Sequence, residues 1–180
     1  TALSSDGRYA VFTSATSFNV GTPSVFLLDT CNSSRDPVVP GCEPFLDRIS
    51  ETDMGAVPSG ASDFGAVSRN GRFVAFRSDG PDILATGDTN VANDVFLQDH
   101  CLDPATGTNF PGCTETTVRV NLAPGQLQSA GDDATLQPLT NVAVSDDGRY
   151  VAYTSMADDL LGAALDTNGK RDVFVYDRCV

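Results

Sequence analysis

Two loops carry oxygen side chains at one shared spacing: Asp88-Thr89-Asn90-Val91-Ala92-Asn93-Asp94 and Asp166-Thr167-Asn168-Gly169-Lys170-Arg171-Asp172. Donors fall at the first, third and seventh residues. A hard cation such as Ca2+ takes oxygen ligands, and alternate residues of a tight loop can aim theirs at one point. The opening of each loop is similar to a D-x-[DN]-x-[DN]-G calcium loop. At the fifth place Ala92 and Lys170 offer only a backbone carbonyl. Asp99 and Asp177, where a closing carboxylate would be wanted, stand roughly 16 Å along a strand from the seventh residue, too far to join the same site. Asp82 and Asp159 match one another upstream and would complete the shell. The competing expectation is an Asx turn, in which the same Asp and Asn side chains bond their own backbone and start a strand with no metal. The corresponding first loop, SFNVGTPS at 17–24, lacks the pattern and is expected to bind nothing.

Sulfur is the second chemistry. Cys31 and Cys42 enclose ten residues, Cys101 and Cys113 enclose eleven, and both second cysteines follow a turn ending Pro-Gly. Pairs repeated in register predict two local disulfides, Cys31–Cys42 and Cys101–Cys113, and hence an oxidising compartment: secreted, cell-surface or periplasmic. Each closes a loop worth about 3 kcal/mol in the chain-entropy model. Zinc is the alternative, but there is no C-x-x-C and His100 is the only histidine. Cys179 occupies the same place in a third copy, and its partner is expected eleven or twelve residues further on. The chain therefore reads as a fragment of something longer.

Catalytic constellations are not distinguished. A Ser-His-Asp triad has to use His100, which stands where sister repeats have Thr30 and Arg178, so it reads as a surface residue. Paired carboxylates for glycoside hydrolysis are easy to imagine among 24 acids, and none stands out. Ser4–Gly7 is superficially close to a sialidase Asp-box, yet that motif ends in a tryptophan and this chain has none. Arg8, Arg72 and Arg149 follow an equivalent turn in every repeat. They predict a cross-strand ion pair or a cap over turn carbonyls, a ring of arginines for an anionic ligand being the other reading. A net charge of −13 argues against that ring and against nucleic acid, whose phosphates need Lys and Arg. It is compatible with a soluble acidic surface or one that gathers divalent cations.

These residues are positioned by a repeat. SDGRYAVFTS (Ser5–Ser14) returns as RNGRFVAFRS (Arg69–Ser78) and DDGRYVAYTS (Asp146–Ser155). SVFLLDTC (Ser24–Cys31) returns as DVFLQDHC (Asp94–Cys101) and DVFVYDRC (Asp172–Cys179). Such periodicity is an architecture before it is a site. Asp6-Gly7, Asn70-Gly71 and Asp147-Gly148 predict type I′ hairpin turns. The following segments, from Tyr9, Phe73 and Tyr150, are aromatic and β-branched as strands are. Phe12, Phe76 and Tyr153 share one face, and Tyr9, Phe73 and Tyr150 begin the other. The next strand is almost continuously apolar, as one covered on both faces is. Fourth strands are expected at Phe45–Ser50 and Thr116–Asn121. With 180 residues, 41% hydrophobic and 19% charged, and no apolar run long enough for a bilayer, the chain reads as one globular all-β unit.

Four-stranded antiparallel meanders repeating in series indicate propeller blades, here about 1–52, 63–122 and an incomplete 141–180. The pattern S-x-D-G-R-[YF]-[VA]-[AV]-[FY]-x-S, then D-T-N-x-x-x-D-V-F-[LV], then [TL]-x-R-[IV], resembles the TolB-type, WD40-like β-propeller repeat. The likeness spans nearly the whole chain at just under three blades, and departs from it in the cysteine pairs and in lacking TolB's amino-terminal domain. It implies an incomplete propeller fragment, since relatives close with six or so blades. The expected function is a non-catalytic extracellular module for protein binding or assembly, stabilised by Ca2+. Its partner would be another protein, or further copies or blades of the same protein. Alternatives are a structural subunit whose open sheet edge borrows a neighbour's strand, and the propeller part of a larger hydrolase or carbohydrate-active enzyme.

Overall fold

The computed structural model describes residues 1–15, 21–34, 40–90, 92–129, 141–162 and 165–179. Every regular element among them is a β-strand. Blade one is an antiparallel sheet of β1 (Ala2–Leu3), β2 (Tyr9–Ser14), β3 (Ser24–Asp29) and β4 (Phe45–Arg48), paired in chain order. Blade two comprises β5 (Ser62–Val67), β6 (Phe73–Ser78) and β7 (Asp94–Asp99), with β10 (Thr116–Arg119) on its outer side. Between β7 and β10 a small ribbon, β8 (Leu102–Asp103) with β9 (Thr108–Asn109), occupies the cysteine loop. A second ribbon, β11 (Leu122–Ala123) with β12 (Leu127–Gln128), follows blade two. Blade three is β13 (Val142–Val144), β14 (Tyr150–Ser155) and β15 (Asp172–Asp177). The three sheets do not interleave. This is an all-β chain of propeller blades that do not close a ring.

The turn before each second strand differs from the type I′ expectation. Gly7 N donates to Ser4 O at 2.9 Å, so the central pair is Ser5-Asp6 and the glycine comes after it. Gly71 and Gly148 donate in the same way to Ser68 and Ser145. Only the glycines, at φ 78°, 75° and 68°, enter the left-handed region. That is the pattern of a type I turn followed by a left-handed glycine, inside a four-residue connection. Side chains enforce it: Ser4 Oγ donates to Asp6 Oδ1 (2.7 Å), Arg8 N donates to the same oxygen (3.1 Å), and Tyr9 N donates to Ser4 Oγ (3.0 Å). The Ser68–Asn70 and Ser145–Asp147 turns repeat all three bonds.

The fourth strands end at Arg48 and Arg119, two residues sooner than expected. At that point side chains take over the ladder. Val25 N donates to Ser50 Oγ and Val95 N to Asn121 Oδ1, each at 2.9 Å.

Cores lie between sheets rather than within them. Tyr9, Val11, Val25 and Leu27 of blade one meet Val74, Phe76 and Phe96 of blade two. The other face of blade two, Phe73, Ala75, Val95 and Leu97, meets Val151, Tyr153 and Phe174 of blade three. Strict alternation along β6 and β7 is what gives blade two an apolar residue on both sides. Each buried Val, Leu or Phe contributes about 1.5–3 kcal/mol. Cross-strand rings stack at one register in every sheet: Phe12–Phe26, Phe76–Phe96 and Tyr153–Phe174, at 5.8, 5.6 and 5.9 Å. The turn glycines of blades two and three also press on the blade before. A Cβ on Gly71 would stand 2.5 Å from the Tyr9 ring, and one on Gly148 would stand 2.4 Å from that of Phe73.

Candidate functional site

The DTN loops form the Asx turns. Asn90 N donates to Asp88 Oδ1 (3.1 Å) and Ala92 N to Asn90 Oδ1 (3.0 Å). Asn168 N donates to Asp166 Oδ1 (3.3 Å) and Lys170 N to Asn168 Oδ1 (2.5 Å). Val91 lies outside the described residues, as do 16–20 of the blade-one loop. In blade two the seventh residue also takes partners from beyond the loop. Asp94 is buried, accepts from Asn121 Nδ2 at 2.8 Å, and pairs with the Arg119 guanidinium at 2.9 Å. Burial pushes its carboxyl up to about 6 despite those two partners. A cation bound by Asp94 would stand beside that guanidinium, so the blade-two donor set does not fit calcium as arranged. In blade three the corresponding loop lies nearer to solvent. There Asn168 Nδ2 donates to Asp172 Oδ2 (2.9 Å), Asp166 and Asp172 are half-buried, and Asn168 and Lys170 are exposed. Asp166, Asn168 and Asp172 are thus all less buried than Asp94. Upstream, Asp82 accepts from Ser59 N with both oxygens (3.0 and 3.1 Å).

The three repeat arginines make the cross-strand ion pair. Arg8 grips Asp29 with Nε and Nη2, both at 2.8 Å; Arg72 holds Asp99 at 2.7 and 2.8 Å; Arg149 holds Asp177 at 2.8 and 2.9 Å. The same aspartates accept from the backbone of the cysteine two residues on, at Cys31, Cys101 and Cys179. Those three cysteines share a left-handed backbone, at φ 55°, 56° and 55°. The corner ties the end of the third strand to the turn before the second. Its burial is graded: the side chains of Arg8 and Asp29 are 5% and 0% exposed, those of Arg149 and Asp177 39% and 36%. Hydrogen bonds from Arg149 hold the Asp177 carboxyl down at about 2. Burial opposes the same effect at Asp99, where bonding to Arg72 still keeps the carboxyl below its ordinary range. All three guanidiniums are thus engaged by carboxylates of their own blades.

Both predicted disulfides are present, Cys31–Cys42 and Cys101–Cys113, and Cys179 is exposed and unpaired among the described residues. The paired sulfurs are thereby removed as zinc ligands. His100 corrects the sequence expectation: it is not a surface residue but buried between sheets. Its ring lies 6.1 Å from that of Phe45 in blade one, with Asp47 3.6 Å from Nε2 and Glu115 3.6 Å from Nδ1. The residue between the corner Asp and the Cys reaches back to the preceding blade. Arg178 does likewise, its guanidinium 5.4 Å from the centre of the Phe73 ring.

Blade three leaves one face open. Tyr150, Val173 and Val175 are 42%, 73% and 64% exposed, and Leu161 and Leu165 beside them are exposed too. Their register equivalents, Tyr9, Val25 and Leu27 in blade one and Phe73, Val95 and Leu97 in blade two, are all buried. The outer edge of β15 pairs with no strand among the described residues, whereas β3 and β7 pair there with β4 and β10.

No protein-family model and no curated protein matches this chain. Among solved structures it is similar to TolB from Acinetobacter baumannii, at 15% identity and a TM-score of 0.44 over 98% of the chain. The chain spans 29% of the length of that protein. The blade assignment rests on the sheets themselves.

Several structural residues escaped the sequence. Arg48 and Arg119 match in the repeat, yet Arg48 pairs with Glu51 and Arg119 with Asp94. Arg77 pairs with Asp63 across a bulge in β5, over the ring of Phe64. The bulge leaves Phe64 with φ 51°. Its only signal in the sequence is Gly65, inside what would otherwise be a regular strand.

Proposed function

We propose that this chain is a non-catalytic β-propeller module of TolB type for protein binding or assembly, working in a secreted, cell-surface or periplasmic setting. The observation that carries it is the open face of blade three. An apolar surface whose counterparts are buried twice in the same chain is a docking surface, since exposed patches of this kind mark interaction sites. The compartment is supported by two disulfides, which persist where thiols are not kept reduced. The polar groups with chemical potential are spent on structure: the arginines on corner aspartates, His100 between sheets, Asp94 on Arg119 and Asn121. Calcium belongs to the proposal as an accessory ligand of the loop at 166–172, where it would stiffen the start of β15.

Dye binding and an activity screen test it. A hydrophobic dye is expected to bind the protein, and Val175→Lys to weaken that binding without lowering the melting temperature, because Val175 supports no core. Chromogenic esters, peptides and glycosides should not turn over. Turnover that disappears when one carboxylate is replaced would overturn the non-catalytic assignment. A second reading, strand sharing, is favoured by the unpaired edge of β15, and proline placed at an outward-facing amide of that edge would abolish it.

A further inference from the structure

The two ends of the stack are complementary. Each blade has a trailing face, which receives the next blade, and a leading face, which packs on the previous one. The trailing face is Tyr9, Val11, Val25 and Leu27 in blade one, and Phe73, Ala75, Val95 and Leu97 in blade two. In blade three the same positions are Tyr150, Ala152, Val173 and Val175; Ala152 is half-buried and the other three are exposed. Leading faces carry Val67, Val74 and Phe76 in blade two, and Val144, Val151 and Tyr153 in blade three, all packed against the blade before. Blade one has Leu3, Ala10 and Phe12 at those positions; Leu3 is 65% exposed, and Ala10 and Phe12 are half-buried. The turn glycines follow the same logic. Gly71 sits on the Tyr9 ring and Gly148 on the Phe73 ring, while Gly7 has nothing within 4 Å and the Tyr150 ring carries no glycine.

We infer that a second copy of this chain stacks on the first head to tail, the leading face of its blade one seated on the trailing face of blade three. The contact continues the interface that already joins the sheets twice within one chain. It needs no new kind of packing: Gly7 of one copy would lie over Tyr150 of the other, and Leu3 and Phe12 against Val173 and Val175. Because the two surfaces differ, the association is heterologous and directional. The inference rests on the binding-module assignment and names its partner.

Sedimentation velocity across a concentration series of the 180-residue chain tests it. The expected result is reversible association above the monomer mass. Leu3→Lys blocks the head and Val175→Lys the tail. Both sites are exposed, so far-ultraviolet dichroism should stay unchanged while each variant alone associates about 100-fold more weakly, an ammonium being buried without a partner. Mixed together, the two variants retain one intact head and one intact tail and should form a dimer. A monomer at every concentration overturns the inference. So does association that ignores both substitutions, or loss that mixing fails to restore, which would mean a symmetric contact. A monomer that still binds dye leaves the module assignment standing with another partner; a monomer without dye binding removes both.

Discussion

Replacing Arg8 by Met should unfold blade one far more readily than the equivalent changes unfold its neighbours. The Asp29 carboxylate is fully buried and takes two bonds from Arg8 and one from Cys31 N. Without Arg8 a buried charge loses its counterion, at a cost of about 3–5 kcal/mol. For a chain of this size that lowers the melting temperature by roughly 6–20 °C, at about 2–4 °C per kcal/mol. Arg72→Met breaks the same geometry with its guanidinium 29% exposed, so the loss should be smaller. Arg149→Met breaks it in the open, where water replaces the partner, and should be the mildest. Urea denaturation followed by near-ultraviolet dichroism gives the three midpoints. The double change Arg8→Met with Asp29→Leu should recover much of the loss, because a well-packed apolar pair tolerates burial. Three equal midpoints would refute the reasoning, since the corner would then act through local turn geometry and not through desolvated charge.

Three further outcomes follow from the same structure. Replacing both Cys101 and Cys113 by Ala should cost about 3 kcal/mol, read from urea midpoints, and reductant should then have a smaller effect than on the wild type. Stability should fall as pH rises from about 4 to 6, because Asp94, near 6 when folded and about 3.9 when unfolded, binds its proton more tightly in the fold. Glu51, also raised by burial, adds a contribution of the same sign, and Asp94→Asn should flatten the part due to Asp94 in midpoints measured across that range. Calcium should raise the melting temperature of the wild type but not of an Asp166→Asn, Asp172→Asn variant; melting unmoved by calcium or chelator removes the metal from the proposal.

What the sequence revealed was whatever recurs. Strands, cystines and the arginine corners appear in each copy, so alignment of the chain with itself exposes them. What stayed hidden depends on neighbours. Asp-Gly reads as a hairpin pair until Ser4 and Asp6 are seen binding one another, which moves the turn one residue back. His100 looks dispensable because Thr30 and Arg178 share its position, yet that position faces the preceding blade, so its occupant varies with what it meets. Asp94 matches a calcium pattern by spacing, and only the arrival of Arg119 at the end of β10 and of Asn121 just beyond it shows where its carboxyl is spent. The two equivalent loops differ for the same reason: blade three shows no matching fourth strand among the described residues to supply those partners.

Both cystines begin and end inside one blade, and neither ties one sheet to the next. Covalent bonds therefore fix the parts while leaving the joints to apolar packing and to a few polar contacts such as Arg69 N to Asp146 and Arg8 to Pro104 O. A lineage built this way can lengthen or shorten by whole sheets with no thiol left seeking a distant mate. In the molecule itself, a sheet that drifts from its neighbour carries its own fastening with it and can settle back unaltered.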